Sequence, residues 1–290
     1  MPTTKHSKNY KDALLLRDAF LTSTFSWYEK HKRILPFRNT TNPYKIMISE
    51  FMLQQTQVSR VLPKYDAFLK TFPTIKDLAN AKLSTVLTYW TGLGYNRRAK
   101  FLFESAKIIS SSKNGLFPET KEELLTLPGF GEYTASAVCA FAYNQDVVVI
   151  DANILLVCNN VFGLTKEEIP FFIKEILPKG KARDFYNALM DIGARYFQKG
   201  KIFDSEYPFK DFCKSYNNKE VPSLKKQKQS SFLGSNRFYR GQLLKMLIDK
   251  KTLLKKEIAA FQEAVQYNKA ISELKKEGFV VEDDSAIYLS

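Results

Sequence analysis

Leu127-Pro128-Gly129-Phe130-Gly131 runs directly into Glu132-Tyr133-Thr134-Ala135-Ser136-Ala137, and the reading of this stretch decides the fold. Two glycines two residues apart permit backbone conformations that a side chain forbids. Proline before them and small helix formers after them mark a turn between two helices. The amides of Gly129, Phe130 and Gly131 then precede a helix start, where free N–H groups and the helix dipole favour an anion. A nucleic-acid phosphate fits that description, and such a contact carries no sequence information. About twenty residues on, the strand- or turn-sized apolar run Val147-Val148-Val149-Ile150 closes on an acid, Asp151.

Outward from this hairpin the periodicity is helical from Tyr10 to about Ser215. Ile46, Phe51, Met52, Val58 and Leu62 lie at helical spacing, and Asn42-Pro43 and Phe72-Pro73-Thr74 read as helix starts. Gly92-Leu93-Gly94 is a second glycine-broken turn. The lysine- and serine-rich stretch 223–231 reads as a linker. Beyond it, 237–249, 255–263 and 268–277 read as helices. Phe279-Val280-Val281 and Ile287-Tyr288-Leu289 form a hairpin around Asp283-Asp284. Three helices and a terminal hairpin over 232–290 resemble a winged helix; the other reading is a helical appendage that only packs on the main body.

The chain carries 44 Lys and Arg against 30 Asp and Glu, a net charge of +14 in 290 residues. Such an excess favours a polyanion, because each neutralised phosphate releases a counterion. No stretch approaches a spanning length, so a membrane partner is not expected. Residues 1–12 are polar and lysine-rich without an apolar core, which argues against secretion. Cys139, Cys158 and Cys213 are too few and too scattered for a disulfide framework. The expectation is an intracellular monomer, cytoplasmic or nucleoid-associated.

Three further blocks, in order, give the chain a family likeness. They are Leu35-Pro36-Phe37-Arg38 with Pro43-Tyr44, Ser49-Glu50-Phe51-Met52-Leu53-Gln54-Gln55-Thr56-Gln57-Val58, and Trp90-Thr91-Gly92-Leu93-Gly94-Tyr95 with Arg97 and Ala99. With the hairpin and its following aspartate, they resemble the endonuclease III superfamily of helix-hairpin-helix DNA glycosylases, and most closely its MutY-type adenine glycosylases. The resemblance covers residues 10 to 217. It implies an all-α, two-lobed glycosylase fold: a six-helix lobe over about 31–143, and a second lobe from 1–30 plus 144–222. The winged-helix-like domain follows.

The chemistry of base removal needs an acid for the departing base and negative charge for an oxocarbenium-like sugar. By resemblance Glu50 is the general acid. A carboxyl beside Phe51 and Met52 is expected to have a raised pKa through desolvation. Asp151 is the carboxylate that stabilises the sugar. Read without their neighbours, Glu50 is a helix-surface glutamate and Asp151 a helix N-cap. Tyr133 stands where bifunctional relatives place a Schiff-base lysine, which implies base removal without efficient lyase activity. The target base must leave the stack. Gln55 is then expected to fill the gap and Tyr95 to wedge into the opposite strand. Thr56, Arg97 and the hairpin residues Gly129, Phe130 and Gly131 complete the DNA contacts. Phe37, Arg38, Asn153 and Asp191 are assigned to the base pocket.

The chain departs from that family at three places. Most relatives hold a 4Fe–4S cluster on four cysteines, and an ungapped reading puts Phe197, Asp204, Tyr207 and Cys213 at those positions. One thiol is too few for a cubane cluster, so no cofactor and no metal are expected. Phe197, Phe203, Tyr207, Phe209 and Phe212 are expected to fill the region, with Lys199, Lys201, Lys210 and Lys214 keeping it basic. The usual Asp-Gly-Asn reads Asp151-Ala152-Asn153, and the large C-terminal domain that reads 8-oxoguanine is replaced by the shorter tail. The implied partner is double-stranded DNA with a damaged or mismatched pair, the leading substrate adenine opposite 8-oxoguanine or guanine. A glycosylase for another mismatched or deaminated base remains open, as does a catalytically silent DNA-binding protein. A transcription regulator built on the tail is disfavoured by the presence of both acids.

Overall fold

The computed structural model describes residues 7–112, 115–197, 203–213 and 231–290. The expected linker at 223–231 lies outside them except for Ser231. So do Lys199, Lys201 and Lys214. The described residues are helical apart from one small sheet near the end of the chain. By packing they group into two units. Met1–Ile46, Glu119–Leu125 and Phe130–Lys226 make the first; Met47–Pro118, Thr126–Gly129 and Gln227–Ser290 make the second.

The first unit holds α1 (Lys8–Leu15), α2 (Arg17–His31), the 3-10 turn Pro36–Arg38 and the start of α3 (Pro43–Leu53). Asn42 starts α3 as its side chain suggests, its Oδ1 accepting from the Tyr44 and Lys45 amides at 3.0 and 3.2 Å. The unit continues with α8 (Lys121–Leu125), α9 (Glu132–Tyr143), α10 (Ala152–Phe162), α11 (Ile169–Ile176) and α12 (Ala182–Tyr196). Packing places α9 here and not in a lobe over 31–143. The reason is that every residue from Thr134 to Ala142 is buried, so the helix has no solvent face and packs on α8 and α12. The run Val147–Ile150 forms no strand. Val147 instead accepts a hydrogen bond from the Tyr186 hydroxyl at 2.7 Å, and Val149 is buried.

The expected aromatic unit is present in the first unit. Phe203 packs on Tyr207 at 4.5 Å between ring centroids, Tyr207 on Phe209 at 5.7 Å, and Phe209 stacks on Phe20 at 4.8 Å. These ring contacts, tilted, edge-on and stacked in turn, add to simple area burial.

The second unit contains most of α3, then α4 (Val58–Thr71), α5 (Ile75–Ala79), α6 (Leu83–Trp90) and α7 (Arg97–Ser111). Thr74 and Asp77 form the capping box that starts α5. The tail belongs to this unit. It consists of α13 (Asn236–Lys250), β1 (Thr252–Leu254), α14 (Lys255–Ala259), α15 (Ala264–Lys276), β2 (Val280–Glu282) and β3 (Ala286–Leu289). The strands lie antiparallel in the order β1-β3-β2, which completes a winged-helix-like domain. Two sequence boundaries needed correction. The expected helix 255–263 ends at Ala259, because the chain turns there with Phe261 bonded back to Ile258, and α15 starts before residue 268. The strand β1 was not expected at all.

The tail packs on the rest of its unit through α13 against α6 and through Lys100 of α7. The Lys100 ammonium donates to the Glu277 carbonyl and lies 5.6 Å from the Phe279 ring centroid. Gly278 between them has a φ of +68°, and a Cβ there would meet the Lys100 Nζ at 2.6 Å. Arg240 of α13 braces the same corner by pairing with Glu273 at 3.0 Å and Glu277 at 2.7 Å.

Candidate active site

In the second unit, α3 carries Glu50 among mostly apolar helix neighbours. Ile46, Met47, Ile48, Phe51 and Met52 are buried, and Glu50 itself is only 7% exposed. The surface-glutamate reading is therefore excluded. The helix ends at Leu53, and two residues later Gln55 takes a left-handed backbone, with φ +56°. Gln55 is exposed there and Thr56 half-buried. A second loop, after α6, passes through Gly92 and Gly94, both at positive φ, to Tyr95 at φ +48°. Tyr95 is 44% exposed and Arg97 beside it is exposed. Non-glycine residues in this region cost about 1–2 kcal/mol each, and both Gln55 and Tyr95 carry that cost.

The hairpin departs in part from the sequence reading. Gly129 does need to be glycine: its φ is +77°, and a Cβ would lie 2.6 Å from Phe101 and 2.8 Å from Phe51. Gly131 does not need it for conformation, since it is the extended N-cap of α9 at φ −100° with open space around its missing side chain. The Phe130 side chain is buried in the turn that leads into α9. Tyr133 stands half-buried in the first turn of α9.

In the first unit, Asp151 is the N-cap of α10. Its Oδ1 accepts from the Ile154 amide and its Oδ2 from the Asn153 Nδ2, both at 2.7 Å. The N-cap reading thus holds, and it does not exhaust the residue, because an ionised carboxylate has about four acceptor positions. Burial pushes the Asp151 carboxyl above its ordinary value, against the opposing pull of the Ile154 and Asn153 hydrogen bonds and the charge of Arg33. Asn153, assigned to the base pocket, therefore serves first to orient Asp151. Gly193 of α12 makes this arrangement possible: a Cβ there would lie 2.6 Å from the Asn153 Cβ.

Asp191 is 2% exposed and both its oxygens are taken. Oδ1 accepts from the Arg33 Nε at 2.5 Å, while Oδ2 accepts from the Arg33 amide at 3.1 Å and the Arg38 Nη1 at 2.7 Å. It is an ionic anchor for Arg38, which follows the buried Phe37 in the 3-10 turn. Sequence reasoning missed Arg33, one basic residue in a lysine-rich neighbourhood, and it missed Arg98, whose only signal is its place beside the Gly-Leu-Gly-Tyr block.

The four positions that correspond to cluster ligands are also described. Phe197 and Tyr207 are buried in the aromatic unit. Asp204 bonds Arg195 at 2.8 Å and Tyr196 at 3.0 Å. Cys213 is buried with its Sγ 3.5 Å from the Asn160 carbonyl. This donor set, one thiol with two aromatic rings and an ion-paired carboxylate, does not fit an iron–sulfur cluster.

A Gly-Phe-Gly turn into a helix, a nearly buried glutamate and an aspartate capping the next helix define a class. Residues 48–179 match the model of the HhH-GPD superfamily, base excision DNA repair proteins. A solved thermostable thymine-DNA glycosylase superposes with a TM-score of 0.66 at 28% identity, covering 71% of this chain and 99% of that one. Two relatives extend the match toward the tail. An adenine DNA glycosylase of Mycobacterium tuberculosis is 34% identical over 275 residues, 89% of each chain. One of Buchnera aphidicola is 32% identical over 270 residues, 89% of this chain and 77% of its own length. The chain belongs to the adenine DNA glycosylase family of the helix-hairpin-helix superfamily.

Proposed function

We propose that this protein is a monofunctional DNA glycosylase that flips a mispaired adenine, opposite 8-oxoguanine or guanine, out of the duplex and removes it to leave an abasic site. The observation that carries the proposal is Glu50, a nearly buried carboxyl on an apolar helix that ends in the exposed, left-handed Gln55. By its place in the family pattern this carboxyl is the acid that protonates the leaving purine. Asp151 supplies negative charge to the sugar as the bond breaks. Gln55 and Tyr95 hold the opened stack, and the hairpin amides with Arg97 hold phosphates. Tyr133 has no amine, so no Schiff base forms there and the strand is left intact. Neither Arg33 nor Arg38 acts on the base directly in this reading: Asp191 holds Arg38 at the pocket beside Phe37. The enzyme works without an iron–sulfur cluster, its aromatic unit taking the cluster's structural place.

The test is single-turnover cleavage of a labelled duplex carrying adenine opposite 8-oxoguanine, developed with alkali, beside A·G, A·C, G·T and uracil duplexes. Glu50→Gln serves as the control and is expected to lose about 10³-fold in rate. Alkali-dependent cleavage at adenine that Glu50→Gln abolishes supports the proposal. Cleavage at thymine alone, the base named for the superposed structure, or at uracil alone would keep the chemistry and overturn the substrate. Strand cleavage without alkali would overturn the monofunctional assignment. Iron and sulfide analysis of the purified protein is expected to find neither in stoichiometric amount.

A further inference from the structure

Arg98 lies within hydrogen-bonding distance of six oxygens in the second unit, and none of them belongs to an acid. It is 7% exposed in the first turn of α7. Its Nη1 donates to the carbonyls of Phe51 at 2.7 Å, Met52 at 3.0 Å and Gln54 at 2.6 Å. These lie at and just beyond the C-terminal turn of α3, where carbonyls lack helical partners and the dipole welcomes a cation. Its Nη2 donates to the Thr56 Oγ1 at 3.1 Å, the Leu93 carbonyl at 3.2 Å and the Gly94 carbonyl at 3.0 Å. One guanidinium therefore joins the loop that bears Gln55 to the loop that bears Tyr95. Thr56 adds a second link, its hydroxyl lying 3.3 Å from the Gln54 carbonyl and 3.4 Å from that of Leu93. The plane of Arg98 also lies 5.3 Å from the Trp90 ring centroid and 5.6 Å from that of Tyr95.

We infer that Arg98 is a positioning residue that locks the two DNA-probing loops to one another, so that Gln55 and Tyr95 enter the duplex as one preformed wedge. The inference rests on the proposed role of those two residues. Both sit on left-handed backbone that other residues avoid, and such a conformation persists only where the surroundings over-determine it. Six oxygens, two on the last turn of α3 and four on the two loops, supply that constraint. Burial lowers the Arg98 pKa to about 10, which still leaves the side chain charged at neutral pH. Lysine cannot replace it: a single ammonium with three hydrogens cannot span two groups of acceptors. A preformed wedge needs no ordering as it enters the duplex, and the base must be unstacked before Glu50 can reach it.

The test compares Arg98→Lys and Arg98→Met with wild type on two duplexes. In one the target adenine is fully stacked opposite 8-oxoguanine; in the other it lies in a bulge and is already unstacked. Single-turnover rates at saturating enzyme are read together with the fluorescence of 2-aminopurine beside the target, which reports unstacking without any excision. Arg98→Lys is expected to slow the stacked substrate about 30-fold and the bulged one less than about 3-fold, because only the first needs the wedge. The 2-aminopurine signal should fall in parallel, with melting curves showing the variant folded. Equal losses on both duplexes, or an unchanged fluorescence signal, would overturn the inference by reducing Arg98 to a structural residue. Arg98→Met separates the two readings if the lysine variant melts early: a preserved ratio between substrates again overturns the inference. Wild type that unstacks but excises nothing would sink the proposed chemistry alone and leave the role of Arg98 to be decided by fluorescence. Wild type that leaves the paired adenine stacked overturns both.

Discussion

Arg98 in the second unit and Asp191 in the first are both buried and both charged, yet they are satisfied in opposite ways. Arg98 meets six neutral oxygens, five of them backbone carbonyls. Asp191 meets two guanidinium groups, Arg33 and Arg38. A cation bound to carbonyls fixes the path of the chain, and its charge is spread over helix-end and loop dipoles. A carboxylate bound to arginines fixes side chains and cancels charge. The second unit thus sets the Gln55 and Tyr95 loops by backbone geometry, and the first sets Arg38 by paired charge. Substitutions that keep shape and remove charge should therefore injure the first unit most.

The largest effect is expected at Asp151. Asparagine caps a helix as well as aspartate does, so Asp151→Asn should change stability by less than about 0.5 kcal/mol. The rate of base removal should fall about 10²–10³-fold, because the charge opposite the sugar is gone. A denaturation midpoint that collapses with the rate would mean that the residue is only a cap.

Next in size is Asp191→Asn, which leaves the nearly buried Arg38 without a counter-charge. Removing one partner of a buried pair costs about 3 kcal/mol, here moderated because Arg33 is partly exposed. Urea unfolding would measure it, and a loss below about 1 kcal/mol would contradict paired charge as the organising device of this unit. Gly193→Ala breaks the comparison from the other side, since it disturbs geometry in the unit that depends on charge. Its new Cβ has no room beside Asn153, so a cost of about 2 kcal/mol is expected. Activity should fall with it as Asn153 moves off Asp151.

The smallest effects sharpen the contrast. Gln55→Gly relieves the left-handed strain and should raise stability by up to about 1 kcal/mol while slowing excision from stacked duplexes. Asn153→Ala removes a hydrogen bond that lowers the Asp151 pKa, so the acid limb of the pH–rate profile should move to higher pH. The sign follows from burial: the folded-state pKa lies above its ordinary value of 3.8, so ionisation is needed for activity but opposes folding. Stability therefore drops slightly as pH rises through the interval between the unfolded and folded values. A limb that stays in place would show that another group titrates.

Much of this site was legible in the sequence because its parts are local strings. Glu50 lies in an apolar helical run, Asp151 follows an apolar segment, and the hairpin announces itself by Pro-Gly-Phe-Gly. What was hidden depends on partners far apart in the chain. Arg33 meets a carboxylate 158 positions away, and Arg98 meets carbonyls 44 to 47 positions before it. Carbonyls leave no mark in a sequence, and one arginine among 44 basic residues gives no sign of its burial. The strand β1 was missed for a related reason: three residues between two helices have no periodicity of their own, and only pairing with β3 makes them a strand. Boundaries of the two units escaped as well, since α9 looks like a continuation of the hairpin until its fully buried circumference is seen.

The corner at Lys100, Gly278 and Phe279 bears on how such proteins are recombined. A donor tail with a side chain at position 278 would be strained at a φ of +68° and would push the flexible end of the lysine aside, and a recipient without that lysine would leave the Glu277 carbonyl and the Phe279 ring without their partner. Lock and key lie 178 positions apart, yet they are inherited usefully only as a set. A chimera builder exchanging C-terminal modules among relatives would need to carry residue 100 along with the graft.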